Sequence, residues 1–261
     1  MSISFEKYHG AGNDFILIDN RDSVYLLNKE YIARLCDRHL GIGADGLILI
    51  QPKEGFDFEM VYYNADGGLG SMCGNGGRCA VIFARKLGIA DSKTKFIAYD
   101  GIHEAIINEK DLVKLSMQSV IGFQRAANKN FILNTGSPHL VQFVNAVEAM
   151  DVFSEGKKIR FSEPFRKEGI NVNFVSLDGE KISMRTYERG VENETLSCGT
   201  GTVAVAMAVS MEKQQMNAQQ YAIQSPGGIL NVYFTRKKED TFEEVWLEGP
   251  VTFVFSGEAE I

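Results

Sequence analysis

Apolar side chains alternate with polar ones, or run unbroken for a few positions, through most of the chain, and only a few segments carry the wider spacing of a helix face. The segments ISFEKYH (3–9) and DFILIDN (14–20) read as a hairpin around the turn GAGN. NKEYIARLCDRHLG (28–41) reads as a helix closed by Gly41. GLILIQ and FDFEMVYYN follow as strands, then a helix after Cys73, then a meander of TKFIAYDG, HEAIINE and LVKLSM. The second half repeats the order. FILNTGSPHLVQFV predicts strand, turn and strand; a mixed segment leads to the strands NVNFVSL and KISMRTYE; a helix follows Cys198; and YAIQS, ILNVYFT and FEEVWLEG close the series.

A duplicated unit leaves a nearly constant sequence offset. Gly10 of YHGAGNDF falls on Gly136 of LNTGSPHL, an offset of 136 − 10 = 126. Gly41 of GIGADGLILI falls on Gly169 of GINVNFVSL at 128, and Cys73 of MCGNGGRCAV on Cys198 of SCGTGTVAVA at 125. The pattern predicts an α/β protein of two pseudo-symmetric domains, each a mostly antiparallel curled sheet around a central helix. The first spans 1–118 and carries Cys73; the second spans 119–249 and carries Cys198. The tail PVTFVFSGEAEI (250–261) exceeds the second repeat and is expected to return as a strand to the first domain.

Composition narrows the function. The 261 residues are 44% hydrophobic and 23% charged, as in soluble globular proteins. A formal net charge of -7 gives no electrostatic reason to bind nucleic acid or an anionic membrane, so a small molecule or another subunit is the expected partner. The longest apolar runs, CAVIFA and VAVAMAV, are too short to span a bilayer, and MSISFEKYHGAGNDF lacks the pattern of a secretion signal. A cytoplasmic location is expected.

Four cysteines in a chain of this length do not make a disulfide scaffold. Cys73 and Cys79, if both helical, lie roughly 9 Å apart, beyond disulfide reach. No Cys-x-x-Cys pair exists and His9, His39, His103 and His139 are scattered, so no metal site is expected. Cys36 and Cys79 fall within apolar helix patterns, where cysteine is a small buried hydrophobe. Cys73 and Cys198 differ: each stands before a glycine-rich turn that opens a helix. A helix N-terminus presents N–H groups and partial positive charge, glycine lets an anion approach, and the same field lowers a thiol pKa from about 8.5 into a range of roughly 3.5 to 7.5. Two such ends would clamp one carboxylate and set a thiol on each side of the adjacent carbon. That is the geometry for inverting an α-carbon, one thiolate taking a proton from one face while the opposite thiol returns one. One Cys-Gly-x-Gly turn alone is more often just a turn; the pair at equivalent repeat positions carries the reading.

The set HGAGNDF, GIGADG, MCGNGGRC, GSPH, GINVNF, YERG and CGTG, in this order, resembles the diaminopimelate epimerase family along nearly the whole chain. The resemblance implies interconversion of LL- and meso-diaminopimelate in lysine and peptidoglycan-precursor synthesis, without pyridoxal phosphate, metal or other cofactor, by a homodimer with its site in the cleft between two similar domains. It makes Cys73 and Cys198 the acid/base pair and assigns the reacting carboxylate to the backbone at Gly74, Asn75, Gly199 and Thr200. Glu188 would accept from the α-ammonium, Asn13 would shape that end of the site, and His139 would lie near the thiols. Asn64, Asn171 and Arg189 would read the distal amino-acid end, where an arginine fork suits a carboxylate. Taken singly, Asn13 and Asn64 read as turn formers, Glu188 and Arg189 as a solvated pair, and His139 as a capped loop residue. Two positions depart from the family pattern. Ser137 stands where many members have asparagine, a shorter donor that joins the substrate contacts through water; Gly46 stands where many have glutamine and receives no role. Alternatives are a racemase of another amino acid on the same fold, or a non-catalytic thiol protein that binds anions or senses oxidants.

Overall fold

The apolar runs FILI (15–18) and LILI (47–50) lie in strands covered on both faces. Asn13–Asp19 and Gly46–Gln51 pair in parallel, an arrangement found where neither sheet face meets water. Ile16, Ile18, Leu47 and Leu49 pack on one face with Ile32, Leu35 and Cys36 of the short helix α1 (Lys29–Cys36). On the other face Phe15 and Ile48 meet the helix α2 (Gly74–Lys86) so closely that a Cβ at Gly76 would lie 3.1 Å from Ile48 Cδ1. Two more helices, α3 (Val152–Arg160) and α4 (Gly199–Glu212), take the corresponding places in the second half.

The computed structural model describes residues 2–70, 72–126 and 130–260; Ser71, which precedes the first glycine-rich turn, lies outside them. The chain divides into two units, Met1–Leu115 with Gly249–Ile261, and Ser116–Glu248. In the first unit the strand series begins with Thr252–Glu260, which pairs antiparallel with Ser2–Gly10. It continues through Asn13–Asp19, Gly46–Gln51, Phe58–Asn64, Lys93–Ala98, Gly101–Ile107 and Val113–Ser116. The second unit runs from Asn130–Asn134 through Pro138–Phe143, Asn171–Asp178, Lys181–Glu188, Asn217–Ser225, Gly228–Lys238 and Thr241–Gly249. From Ser2–Gly10 onward in the first unit and from Asn130–Asn134 onward in the second, the pairings follow one order: antiparallel, parallel, antiparallel, parallel, then twice antiparallel. The division falls after Leu115 because Met117 N–H already donates to Val245 O, 2.8 Å away, in the second unit. No helix among the described residues is long and apolar enough to cross a membrane.

Several elements among the described residues differ from the sequence pattern, including the short strands Val120–Ile121 and Gln124–Ala126 and the single 3-10 turn Val147–Ala149, which it does not predict. Helix α1 stops at Cys36 instead of reaching Gly41, because Asp37 leaves helical geometry (ψ 128°) and its Oδ1 captures the N–H groups of His39 and Leu40, each at 2.7 Å. The mixed segment contains α3, capped by Asp151, whose Oδ1 accepts from Ser154 N–H at 3.0 Å. A short strand, Asn193–Thr195, pairs with the end of Lys181–Glu188 and was not foreshadowed.

Helix α3 lies against Tyr187 with no room for a side chain at Gly156, where a Cβ would sit 2.3 Å from Tyr187 Cβ. Alanine ordinarily gains about 1 kcal/mol over glycine in a helix; here overpacking of about 1–3 kcal/mol outweighs it. Gly156→Ala is expected to lower the urea midpoint without changing the slope; an unchanged or higher midpoint would show that α3 does not bear on Tyr187.

Candidate active site

Helices α2 and α4 both begin on a cysteine. Cys73 (φ −108°, ψ 119°) and Cys198 (φ −125°, ψ 110°) are extended N-cap residues whose side chains make no capping hydrogen bond. Each carbonyl starts its helix, Cys73 O accepting from Gly77 N–H at 2.7 Å and Cys198 O from Thr202 N–H at 2.9 Å. A helix end without an acidic or hydroxyl cap retains its attraction for an external anion. Glycine is required beside the second thiol: a Cβ at Gly201 would stand 2.5 Å from Asn173 Oδ1 and 3.2 Å from Cys198 Sγ.

In the first unit, Asn13, Cys73, Gly74 and Asn75 come together. Asn13 Oδ1 receives the Cys73 thiol at 3.5 Å and Asn75 Nδ2 at 3.2 Å. Asn13 Nδ2 donates to Asp45 Oδ2 at 2.6 Å, and Asp45 is held in turn by Arg38, which bridges it (2.8 Å) and Asp14 (2.7 Å). Lys7 completes the cluster, 2.8 Å from Asp14 and donating to Gly43 O. Burial alone would raise the Asp14 pKa, but the hydrogen bonds and charges of Arg38 and Lys7 lower it to about 2. Arg78 is sealed inside α2, donating to Gly74 O at 3.2 Å and Asn75 Oδ1 at 2.6 Å. Burial pulls its pKa down to about 10, which leaves it charged at neutral pH. Asn64 is exposed at the end of its strand, opposite Gly46, with its backbone closing a turn onto Gly67 and Gly68.

The second unit gathers two groups. His139, fully buried, meets Thr200 Oγ1 through Nε2 at 2.9 Å, and Thr200 Oγ1 lies 3.6 Å from Cys198 Sγ. Asn173 Nδ2 reaches His139 Nδ1 at 3.1 Å. Beside them, Ser137 Oγ accepts from Asn171 Nδ2 at 2.9 Å and from Arg189 Nη2 at 3.4 Å, while Asn171 Oδ1 accepts from Arg189 N–H at 2.9 Å. Ser137 is thus joined directly to Asn171 and Arg189. Glu188 Oε2 accepts from Thr195 Oγ1 at 2.9 Å. Gly46 has a local reason to lack a side chain: a Cβ there would meet the Tyr62 ring at 2.5 Å.

The other two cysteines are buried, at 3% and 0% exposure. Burial pushes the Cys36 thiol up to about 12 and the Cys79 thiol further still, so both stay protonated. Among the described residues no disulfide is formed, and no three His, Cys, Asp or Glu side chains gather as metal ligands. Arg78, Asn173 and Tyr62 were not singled out from sequence. Their signal was a polar residue inside an apolar run in the first two cases; Tyr62 left none.

A protein-family model described as diaminopimelate epimerase matches residues 5–121 and 131–254. The chain belongs to the diaminopimelate epimerase family. It is 50% identical over 251 residues to a diaminopimelate epimerase of Flavobacterium psychrophilum, covering 95% of this chain and 97% of that one. It is 43% identical over 256 residues to that of Chlorobaculum tepidum, covering 95% and 98%. Among solved structures it resembles a Bacillus anthracis phenazine biosynthesis protein of the PhzF family, with a TM-score of 0.77, 16% identity and full coverage of both chains. A hydroxyproline epimerase from Agrobacterium vitis gives a TM-score of 0.70 at 12% identity, covering 98% of this chain and 92% of that one. These structures share the fold. As a member of this family of isomerases, the epimerase carries its two thiols at matching helix ends of the two units.

His139 supplies a pH test. Burial, with the Arg189 charge, lowers its pKa from the ordinary 6.5 to about 3. An unfolded chain therefore binds a proton that the folded one refuses, and stability is full above pH 6.5 and lost as pH falls toward 3. Between about pH 6.5 and about pH 5 the loss attributable to this residue is about 2 kcal/mol. Urea midpoints of the parent should fall more over this interval than those of His139→Asn, which cannot titrate; parallel falls would mean that the ring is protonated in the fold.

Proposed function

We propose that Cys73 and Cys198 are the acid and base with which this family member inverts the α-carbon of LL-diaminopimelate to give meso-diaminopimelate in lysine and peptidoglycan-precursor synthesis. The observation that carries the reading is the matched pair of uncapped helix starts, each with a thiol at the N-cap and a polar side chain touching the sulfur. One thiolate takes the α-proton, breaking the C–H bond, and the electron pair moves toward the carboxylate. The other thiol delivers its proton to the opposite face, forming the new C–H bond and becoming the thiolate. Net charge is unchanged and the two sulfurs exchange states.

The reacting carboxylate would rest on the backbone at Gly74, Asn75, Gly199 and Thr200, where N–H groups of α2 and α4 oppose the charge that builds on it. Glu188 would take the α-ammonium and Asn13 would shape that end of the site. Arg189 and Asn171, joined through Ser137, would bind the distal amino-acid end together with Asn64. The hydroxyl of Ser137, which already accepts two donors, directs its own proton to that end. His139 would support Thr200, whose Oγ1 it meets at 2.9 Å. A homodimer in the cytoplasm goes with this reading, and sedimentation of the purified protein tests the first half of it.

Incubation in D₂O with candidate amino acids is the direct test. Deuterium should enter the α-position of diaminopimelate and not of proline or lysine; exchange with proline alone would make this a racemase of another amino acid. Cys73→Ala and Cys198→Ala should each lower turnover by about a hundredfold to ten-thousandfold. Full turnover by either would remove the two-thiol mechanism. Arg189→Leu should raise KM for diaminopimelate about tenfold or more, since a charge-assisted contact is lost; an unchanged KM would show that Arg189 does not read the distal carboxylate.

A further inference from the structure

The two thiols meet pseudo-equivalent side chains of opposite hydrogen-bond polarity. The repeat offsets set Asn13 against His139 (139 − 13 = 126) and Asn75 against Thr200 (200 − 75 = 125). In the first unit each proton can be located from groups that only donate or only accept. Arg78 only donates, so the Asn75 oxygen faces it and the Asn75 nitrogen turns toward Asn13 Oδ1. The Asp45 carboxylate accepts, so Asn13 Nδ2 faces it and Asn13 Oδ1 is the atom left for Cys73. A carbonyl oxygen accepts an S–H and repels a thiolate.

The second unit runs the other way. Leu140 O only accepts and Thr186 Oγ1 donates to Asn173 Oδ1 at 2.9 Å, so Asn173 Nδ2 is the atom that meets both Leu140 O and His139 Nδ1. An amide nitrogen has no lone pair to offer, hence His139 Nδ1 is bare and the ring proton is on Nε2, donating to Thr200 Oγ1. With that oxygen accepting from His139, the Thr200 hydroxyl hydrogen turns toward Cys198 Sγ, 3.6 Å away. A hydroxyl donor favours the thiolate.

The structure assigns the resting thiolate to Cys198 and the resting thiol to Cys73, with Asn173, His139 and Thr200 positioning one and Asp45, Asn13 and Asn75 the other. This rests on the acid/base reading and deepens it. The free enzyme is primed for the stereoisomer whose α-proton faces Cys198. After one inversion Cys198 holds the proton and Cys73 is the thiolate, so a proton must pass from Cys198 to Cys73 before the resting form returns.

The charges around each sulfur bear on the balance. Arg78 favours a thiolate at Cys73. Its guanidinium donates to the neutral oxygens Gly74 O and Asn75 Oδ1 and keeps its charge, whereas the direct contact with sulfur is made by an oxygen polarised by Asp45. Cys79, behind Cys73, is a thiol. In the second unit Arg189 faces His139 and favours an anion nearby, and Glu188 is held by Thr195.

Because burial keeps Cys36 and Cys79 as thiols, ultraviolet thiolate absorbance near neutral pH reports Cys73 and Cys198 alone. Full-length Cys73→Ala should show its absorbance step about one pH unit or more below that of Cys198→Ala. Adding Thr200→Val to Cys73→Ala should raise the step by about one pH unit, whereas Thr200→Ser should leave it in place and so controls for the fold. A lower or equal step in Cys198→Ala, or no movement with Thr200→Val, overturns the assignment. Its failure is separable from that of the catalytic reading, which would fail on retained turnover in either alanine protein.

Discussion

A helix that starts on cysteine keeps its positive end exposed to whatever approaches, because a thiol is a poor partner for backbone N–H groups that serine, threonine or aspartate would satisfy. Everything else at the two helix starts follows from that incompletely matched end. Glycines at 74 and 199 let an anion reach the first turn, and the sulfur itself feels the field that would otherwise be quenched by a cap. The surrounding polar residues do not fill the helix end; they contact the sulfur and fix its orientation.

That arrangement requires rigid support, and the sheets provide it. Asn13 opens a strand pinned in parallel to Gly46–Gln51, and His139 and Asn173 occupy adjacent parallel strands. The polar chain from Asn173 to Cys198 is buried at its inner end, where an unmatched group would cost about 1–3 kcal/mol, so the partners hold one another in a single tautomer. Gly201 and Gly76 serve the same end by letting helix and sheet approach within van der Waals distance.

Most of this was legible in the sequence where periodicity and chemistry coincide. The paired Cys-Gly turns, the constant offset and the apolar runs that lead into and out of them predicted the two-fold architecture and the thiols. Helix α3 escaped because VFSEGKKIR is polar and interrupted by Gly156, although its start lies 152 − 29 = 123 residues after that of α1 and the repeat could have pointed to it. The pattern of apolar positions carries α1 on to Gly41 because it does not register a carboxylate, that of Asp37, which intercepts the next turn. In the sequence Asn173 and Arg78 read as ordinary strand and helix residues; their hydrogen bonds, to His139 and Leu140 in a neighbouring strand and to Gly74 and Asn75 in the first turn of α2, show what they do. The departures at 46 and 137 likewise make sense only in three dimensions. The Tyr62 ring occupies the room beside Gly46, and Ser137 Oγ reaches Asn171 and Arg189 without an intervening water.

The return of Thr252–Glu260 to pair with Ser2–Gly10 has a consequence for biogenesis. Residues 116–248 form one uninterrupted stretch and can collapse as soon as they clear the ribosome. The first unit cannot complete its sheet until residues 252–260 have been made, since Ser2 is partnered by Glu260. Until then Ile3 and Phe5 line an unfinished edge, a template for stray pairing. The half that is translated first is therefore the half whose sheet is closed last.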